Sequence, residues 1–376
     1  MAQQIGFDAK RAFGNFTGLG NYSRSLLHAL AEHEPQFGLH LYAPKRKAST
    51  EVEALLALPN VSAHFAPTKA LAAYWRSRGL VAGLRRQGIG LFHGLSHEIP
   101  LGLAKAGIRS VVTMHDLIFK RYPSHYPWAD RQFYDLKCRY ACRHADLVVA
   151  ISESTRRDLA HYYGLPESKV RVVYQPCGTA FAEAWGPERL AAIRQRRSLP
   201  EAFFLYVGSL TERKNVALLV QALAGMPEAE RLPLAIVGKG PERPRLEALA
   251  QSLGIGQQVF FWEDVGNDEL PGLYQLATAF LYPSVYEGFG IPILEALQSG
   301  TPVLAANTSS LPEAGGPHSR YVPPHAPRAA AEALQALATQ PEMRQEMAEQ
   351  GRRYAQRFAP ERIARDMAAV YRELLP

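Results

Sequence analysis

Residues 279–303, AFLYPSVYEGFGIPILEALQSGTPV, set two carboxylates, Glu287 and Glu295, around a Gly-Phe-Gly-Ile-Pro segment. Gly288 and Gly290 let a backbone approach a ligand closely, and Pro292 falls where the first turn of a helix begins. The uncommitted main-chain N–H groups at Phe289, Gly290 and Ile291, together with the positive end of the helix dipole, suit a bound phosphate. A carboxylate beside that point would repel a phosphate. Glu287 and Glu295 are therefore better placed to accept hydrogen bonds from hydroxyls, one on a transferred sugar and one on a nucleotide ribose. Both glutamates would also favour a helix N-terminus for dipole reasons alone, at roughly 0.3–1 kcal/mol each, and residue types do not separate the two readings.

A second stretch, LYVGSLTERKNVALLVQAL (205–223), ends a strand at Gly208 and places Ser209, Arg213 and Lys214 before a helix whose expected cap is Asn215. An Arg fork and a Lys point charge there can hold a diphosphate, or simply face solvent in a turn. Holding the departing diphosphate by cations would replace a divalent metal. No Asp-x-Asp motif is present, and the expectation is no metal and no cofactor. VGKG (237–240) puts Gly238 at another strand end, as a wall for a nucleotide or a plain turn. TGLGNY (17–22) offers Gly18 and Gly20 at the start of a periodic helix, a phosphate-facing loop or a tight turn. TMHDLIF places His115 after the strand Arg109–Met114, where it could donate to a sugar hydroxyl.

The elements that must carry these residues repeat along the chain. QIGFDA, LHLYAP, VSAHFA, GLFHG, RSVVTMHD, DLVVAIS and KVRVVY alternate with helical patterns, and FFLYVGS, PLAIVGKG, QVFFWED, AFLYPS and TPVLAAN do so again. Such alternation predicts α/β architecture with parallel sheets covered on both faces. Two sets within 376 residues predict two doubly wound domains, with a hinge in residues 175–200 and only helices after about Pro327. In such sheets ligands bind beyond the carboxyl ends of strands, where the singled-out residues fall.

Composition narrows the function further. Residues 1–180 carry 23 Lys/Arg against 13 Asp/Glu, whereas residues 181–376 carry 19 against 22. The basic first half predicts an anionic partner: a phosphorylated substrate, an anionic membrane surface or nucleic acid. No nucleic-acid-binding signature accompanies it, which excludes the last as an expectation. RSRGLVAGLRRQG (76–88) and FKRYPSHYPWADR (119–131) mix basic and aromatic residues, as a peripheral membrane surface or a packed amphipathic helix would. The three cysteines, Cys138, Cys142 and Cys177, lack a metal or disulfide spacing and are expected in the core. No signal-peptide pattern opens the chain and no apolar run is long enough to span a bilayer, so the expected location is cytoplasmic, with contact on the inner membrane face as an added option.

Together YEGFGIPILEA, GSLTERKN, VGKG, FFWEDVGNDELPGLY, TGLGNY, the His-Asp pair at 115–116 and ISESTRRDL (151–159) resemble glycosyltransferase family 4, over roughly Ile5 to Leu375. The resemblance implies the GT-B fold: two Rossmann-like domains facing each other across a cleft. Residues 1–178 would be the acceptor-side domain, 179–358 the nucleotide-sugar domain, and 359–376 a helix returning to the first. It implies Glu287 on the donor sugar, Glu295 on the ribose, Lys214 on the diphosphate, and the main chain near Val265 on the base. His115 would meet the transferred sugar, and Gly18 would offer its N–H to the phosphate. Many relatives carry an Arg where this chain has Ser209, and Arg213 is expected to supply that charge. ERKN is similar to mannosyltransferase-like members. The implied activity is retaining transfer of a hexose from a GDP- or UDP-linked sugar to a glycan or lipid-linked acceptor by front-face attack. The alternatives are a nucleotide-sugar epimerase or a catalytically silent nucleotide-sugar-binding module.

Overall fold

The computed structural model describes residues 3–15, 18–47, 49–68 and 72–375. By its internal contacts the chain divides into two compact units, residues 1–176 with 358–376, and residues 177–357. Unit one holds strands β1 (Gln3–Asp8), β2 (Phe37–Ala43), β3 (Val61–Phe65), β4 (Leu91–Gly94), β5 (Arg109–Met114), β6 (Leu147–Ala150) and β7 (Val170–Val172). Unit two holds β8 (Phe204–Val207), β9 (Leu234–Val237), β10 (Val259–Trp262), β11 (Ala279–Tyr282), β12 (Val303–Ala306) and β13 (Arg320–Val322).

The sheet orders are β3-β2-β1-β4-β5-β6-β7 and β10-β9-β8-β11-β12-β13, and every pairing is parallel. Each sheet therefore reverses its winding once, between β1 and β4 in unit one and between β8 and β11 in unit two. A crevice opens at such a reversal because the two flanking crossovers leave on opposite faces. The central strands are apolar on both sides: β6 (LVVA) and β11 (AFLY) are buried at every position, as helices covering both faces require. The twelve strands signalled by the sequence are present. β13 is the addition; its three residues, Arg-Tyr-Val, are too few for a periodicity to register.

The helix Pro360–Arg372 buries Ile363, Met367, Val370 and Tyr371 and packs on the helix Gly18–His33, whose Leu26, Leu27 and Leu30 are buried. Burying each large side chain contributes roughly 1.5–3 kcal/mol, which fastens this last helix to unit one. Cys138 and Cys142 lie in a core cluster with Val112, Met114 and Val148. Burial pushes both thiols up, Cys142 to about 12, so neither is a reactive thiolate.

Candidate functional site

The loops at the carboxyl ends of β8 and β11 form the richest cluster in unit two. After β11, residues 283–290 turn back over the sheet and Gly290 starts the helix Ile291–Gln298. Gly290 has φ 124°, a conformation only glycine adopts readily, and the helix has no side-chain N-cap. Pro292 has no N–H and the Ile293 N–H goes to the Gly290 carbonyl at 3.0 Å, so of the first three helical positions only the Ile291 N–H can face the expected anion point. The loop is pinned from behind: Ser309 Oγ accepts from Glu287 N–H at 2.9 Å, and Ser310 Oγ donates to the carbonyls of Glu287 and Phe289 at 3.0 and 2.8 Å.

Lys214 and Arg213 approach from the β8 side. Lys214 Nζ donates to Glu287 Oε1 and to Tyr282 Oη, both at 2.6 Å, and Arg213 Nη1 lies 2.8 Å from the same Glu287 oxygen. Burial alone would push the Glu287 carboxyl up. The Lys214 ammonium and the Arg213 guanidinium outweigh it and hold the group below its ordinary value. Glu287 therefore stays ionised at any working pH. Its side chain retains 12 % exposure, an edge through which a ligand hydroxyl can reach it.

Glu295 has the opposite environment. Its neighbour is Tyr274, whose hydroxyl donates to Oε2 at 2.8 Å, and no cation offsets burial, which pushes the carboxyl up to about 7. The loop after β11 and the helix that follows it thus carry, eight positions apart, an ionised acceptor and a carboxyl poised at neutrality. Asn215 differs from expectation. It occupies the cap position of Val216–Ala224 at φ 53° without a cap hydrogen bond, and its amide instead donates to the carbonyls of Pro283 and Pro324 at 3.2 and 2.7 Å. It ties the β8 loop to the β11 loop rather than closing a helix.

Gly238 follows β9, Ser209 follows β8 and Val265 follows β10, so the donor-side candidates sit at the carboxyl ends of four adjacent strands. A Cβ on Gly238 would stand 1.9 Å from the Gly208 carbonyl oxygen, so this glycine is required for the two loops to pack, whatever else it does. Ser209 is exposed, and Arg213 is the cation that stands beside Lys214.

In unit one, Gly18 opens the helix Gly18–His33 with nothing within 4 Å of where a Cβ would lie, whereas a Cβ on Gly20 would collide with the Asn15 carbonyl at 1.7 Å. Gly18 faces open space and Gly20 answers to packing. Thr17 lies outside the described residues. Arg24 braces this loop, its Nη1 donating to the carbonyls of Ala12 and Asn15 at 2.8 Å each.

His115 is 3 % exposed at the end of β5. Its Nε2 is 2.9 Å from the Leu95 carbonyl and its Nδ1 3.3 Å from Gln175 Nε2, which fixes the Nε2–H tautomer. Burial pushes the ring's pKa down to about 3, so it is neutral. The hydrogen expected to serve a sugar hydroxyl is, in this conformation, committed to Leu95. Behind it a buried chain runs from Tyr371 Oη to His93 Nδ1 (2.7 Å), from His93 Nε2 to Thr113 Oγ1 (2.8 Å), and on to Tyr22 Oη (3.1 Å). The Tyr22 ring meets the His115 ring edge-on with centroids 4.6 Å apart, so the last helix positions His115 through four side chains.

His97 is the residue that sequence reasoning passed over. It follows β4 at φ 62° and its Nε2 accepts the His115 backbone N–H at 2.8 Å. The strand-end rule applied to GLFHGLSHE would have found it. No cluster of three or more His, Cys, Asp or Glu suited to a metal occurs among the described residues.

A cation pair, an uncapped helix start and two glutamates at the winding reversal of a second Rossmann-like sheet are the parts of a GT-B glycosyltransferase. The sequence matches two family descriptions in succession: glycosyltransferase family 4 over residues 16–180 and glycosyl transferases group 1 over residues 191–354. The chain belongs to this glycosyltransferase family. It is 28% identical over 229 residues to the O-antigen chain mannosyltransferase B of Escherichia coli, covering 60% of this chain and 59% of that one. It is 31% identical over 241 residues to the serotype-specific mannosyltransferase WbdA of Escherichia coli, covering 62% of this chain but 29% of the relative. The matches thus span less than two thirds of these relatives. In fold it is similar to sucrose-phosphate synthase from Thermosynechococcus elongatus (TM-score 0.77, 24% identity, 99% of both chains). It is also similar to Anabaena Alr3699/HepE, solved with UDP-glucose (TM-score 0.75, 18% identity, 99% of both chains).

Proposed function

We propose that this protein transfers a hexose, of the mannose type, from a GDP- or UDP-linked sugar to a glycan or glycolipid acceptor, with retention of configuration and without a metal ion. The observation that carries this is the Lys214–Glu287–Arg213 cluster beside the uncapped start of the helix Ile291–Gln298. In this reading the diphosphate lies at the helix start, takes the Ile291 N–H and draws Lys214 and Arg213 toward itself. Glu287, released from part of that pairing, accepts from a hydroxyl of the transferred sugar, and Glu295 accepts from the ribose.

As the bond from the anomeric carbon to the phosphate oxygen breaks, the acceptor oxygen bonds to that carbon from the same face, and its proton passes to the leaving phosphate oxygen. No protein base is required, and the two cations stabilise the charge that develops on the diphosphate. Neutral His115 and the main chain around it would line the sugar. The matches to mannosyltransferases support the mannose-type donor, and Alr3699/HepE with UDP-glucose supports a nucleotide-sugar donor. The test is incubation with GDP- and UDP-linked hexoses and saccharide acceptors, with the product's anomeric configuration read by NMR. Interconversion of a nucleotide sugar without acceptor, or binding without turnover, would replace the transferase reading.

No helix among the described residues is long and apolar enough to cross a membrane. A peripheral contact with anionic membrane, on the cytoplasmic face, is part of the proposal. Within the stretches singled out in the sequence, Arg85 and Arg86 are exposed and other cations are paired. Arg76 is paired with Asp8 and Glu98, and Lys120 and Arg139 share Asp135, whereas the helix Trp128–His144, which begins inside the second stretch, exposes Trp128, Phe133 and Leu136 by 70, 57 and 68 % alongside exposed Arg143. Aromatic and leucine side chains flanked by arginines suit the headgroup boundary of such a surface.

A further inference from the structure

The polar hydrogens of His115 are all taken within unit one. Its Nε2–H goes to the Leu95 carbonyl at 2.9 Å and its backbone N–H to His97 Nε2 at 2.8 Å, while its Nδ1 accepts from Gln175 Nε2 at 3.3 Å. The loop after β4 makes two of these three contacts. That loop folds tightly, since a Cβ on Gly94 would stand 1.9 Å from the Glu98 carbonyl oxygen. The His97 backbone N–H then ties it to the Thr113 carbonyl of β5 at 3.0 Å.

His97 itself has one bond left to make. A backbone N–H can only donate, so His97 Nε2 is the unprotonated nitrogen, and the neutral ring carries its hydrogen on Nδ1. A doubly protonated ring would set two donors against each other there. The Nδ1–H has no acceptor among the described residues, although the ring is partly buried and packs on His115 with centroids 5.3 Å apart. A donor held partly out of water without a partner is costly. The backbone is costly too, because φ 62° lies in the left-handed region that favours glycine. Asn215 at φ 53° and Ser309 at φ 48° share that conformation, and both hold the loops of the Lys214–Glu287 cluster. His97 is likewise fixed, by its main chain to β5 and by its ring to His115.

We propose that His97, rather than His115, is the ring that donates to a hydroxyl of the transferred sugar, through Nδ1–H. It is the one hydrogen of the paired rings left without an acceptor, on the more exposed of the two, at the carboxyl ends of β4 and β5 where ligands of such sheets bind. A neutral, fixed N–H suits a hydroxyl oxygen, which accepts there and keeps its own hydrogen for another partner. That the hydroxyl belongs to the transferred sugar rests on the transferase reading; the tautomer and the open donor do not.

One measurement needs only the parent chain. Long-range proton–nitrogen NMR with labelled histidine should find Nδ1 protonated in His97 and Nε2 in His115, assigned by the signals lost in His97→Asn. A GDP- or UDP-linked hexose should shift the His97 Nδ1–H and slow its exchange, and GDP or UDP alone should not. A His97 hydrogen on Nε2, or an equal response to the sugar-free nucleotide, would overturn the proposal. A response to saccharide acceptor alone would overturn the transferred-sugar assignment.

Two variants then separate contact from support. Asn overlays the near half of an imidazole, tolerates the left-handed backbone and keeps an N–H near Nδ1, whereas Gln overlays the far half and keeps an acceptor near Nε2. His97→Gln should lower kcat/KM by about tenfold and leave GDP or UDP affinity unchanged. His97→Asn should keep most of the activity and lose thermal stability instead, because the His115 N–H is left without its acceptor. The reverse order would make His97 a support for the His115 backbone and nothing more. Donors lacking single hydroxyls complete the test: one of them should lose about tenfold with the parent and nothing further with His97→Gln. Equal losses in parent and variant for every such donor would overturn the contact. If nucleotide sugar binds without turnover, the transferase reading falls while the NMR response still decides His97; if none binds, both fall.

Discussion

Replacing Glu295 by Gln sets stability and binding against one another. Burial holds this carboxyl at about 7, above its ordinary 4.5, and the Tyr274 hydroxyl at 2.8 Å only partly offsets it. The folded protein therefore grips the proton more tightly than the unfolded chain does. That contribution is fully present below pH 4.5 and is lost as pH rises through 7, where the folded state must accept a poorly solvated charge. Glu295→Gln keeps the shape and an acceptor for Tyr274 while removing the ionisation. Integrated over that interval, the variant should be more stable than the parent by about 1 kcal/mol at pH 5 and about 3 kcal/mol at pH 8, read by urea unfolding at both values. The same change removes the charge from the acceptor of the ribose hydroxyls, and nucleoside diphosphate affinity at pH 8 should fall by about 1.5–3 kcal/mol in calorimetry. In the parent, affinity should rise as pH passes through 7. A stability gain that does not grow with pH would refute the account of Glu295 as a carboxyl with no cation to offset its burial. Unchanged nucleotide affinity would remove the ribose role.

Lys214→Ala should raise the barrier by about 2.7–4 kcal/mol, while excess chelator leaves the parent's rate unchanged; loss of rate in chelator, restored by magnesium, refutes metal independence. Glu287→Ala should lower turnover more than donor affinity, and added azide should not restore it, since rescue would mark Glu287 as a nucleophile whose place azide takes. Gly238→Ala puts a Cβ 1.9 Å from the Gly208 carbonyl and should destabilise unit two by about 1–3 kcal/mol, read by thermal unfolding; a neutral effect would mean that the loops can separate freely. Trp128→Ala with Phe133→Ala should abolish flotation with liposomes containing anionic lipid at low salt, and binding that survives both changes places the membrane contact elsewhere.

The layers were legible because β6 and β11 are continuous apolar runs between turn residues, and a parallel sheet buried on both faces leaves that mark in any sequence. The site was legible where chemistry depends on main-chain geometry: Gly290 at φ 124° ahead of Pro292 can be read from two residue types. What a sequence does not carry is which partner a side chain finds. Asn215 has the composition of a cap, yet its amide is drawn to carbonyls of Pro283 and Pro324, the latter 109 residues away. The basic stretches at 76–88 and 119–131 read as a surface, but Arg76 and Lys120 face carboxylates brought to them by other elements. Tyr371 gives no sign in the sequence that it reaches His93, because 278 positions separate them.

The two glutamates show why partners, rather than residue types, decide chemistry. A raised carboxyl beside an ionised one is the pattern of a glycosidase acid and nucleophile. With both cations paired to it, the ionised member is held from the second role. Glu287 Oε1 receives Lys214 Nζ at 2.6 Å and Arg213 Nη1 at 2.8 Å, and a carboxylate oxygen shared by two cations has little electron density to offer an anomeric carbon. The raised member is also engaged: Tyr274 Oη donates to one oxygen of Glu295 at 2.8 Å. The same two cations that disable Glu287 as a nucleophile are the ones a diphosphate would recruit. On the proposed reading a donor's diphosphate would draw those cations toward itself, so the positive charge that pairs with Glu287 would pass to the leaving group in place of a metal ion.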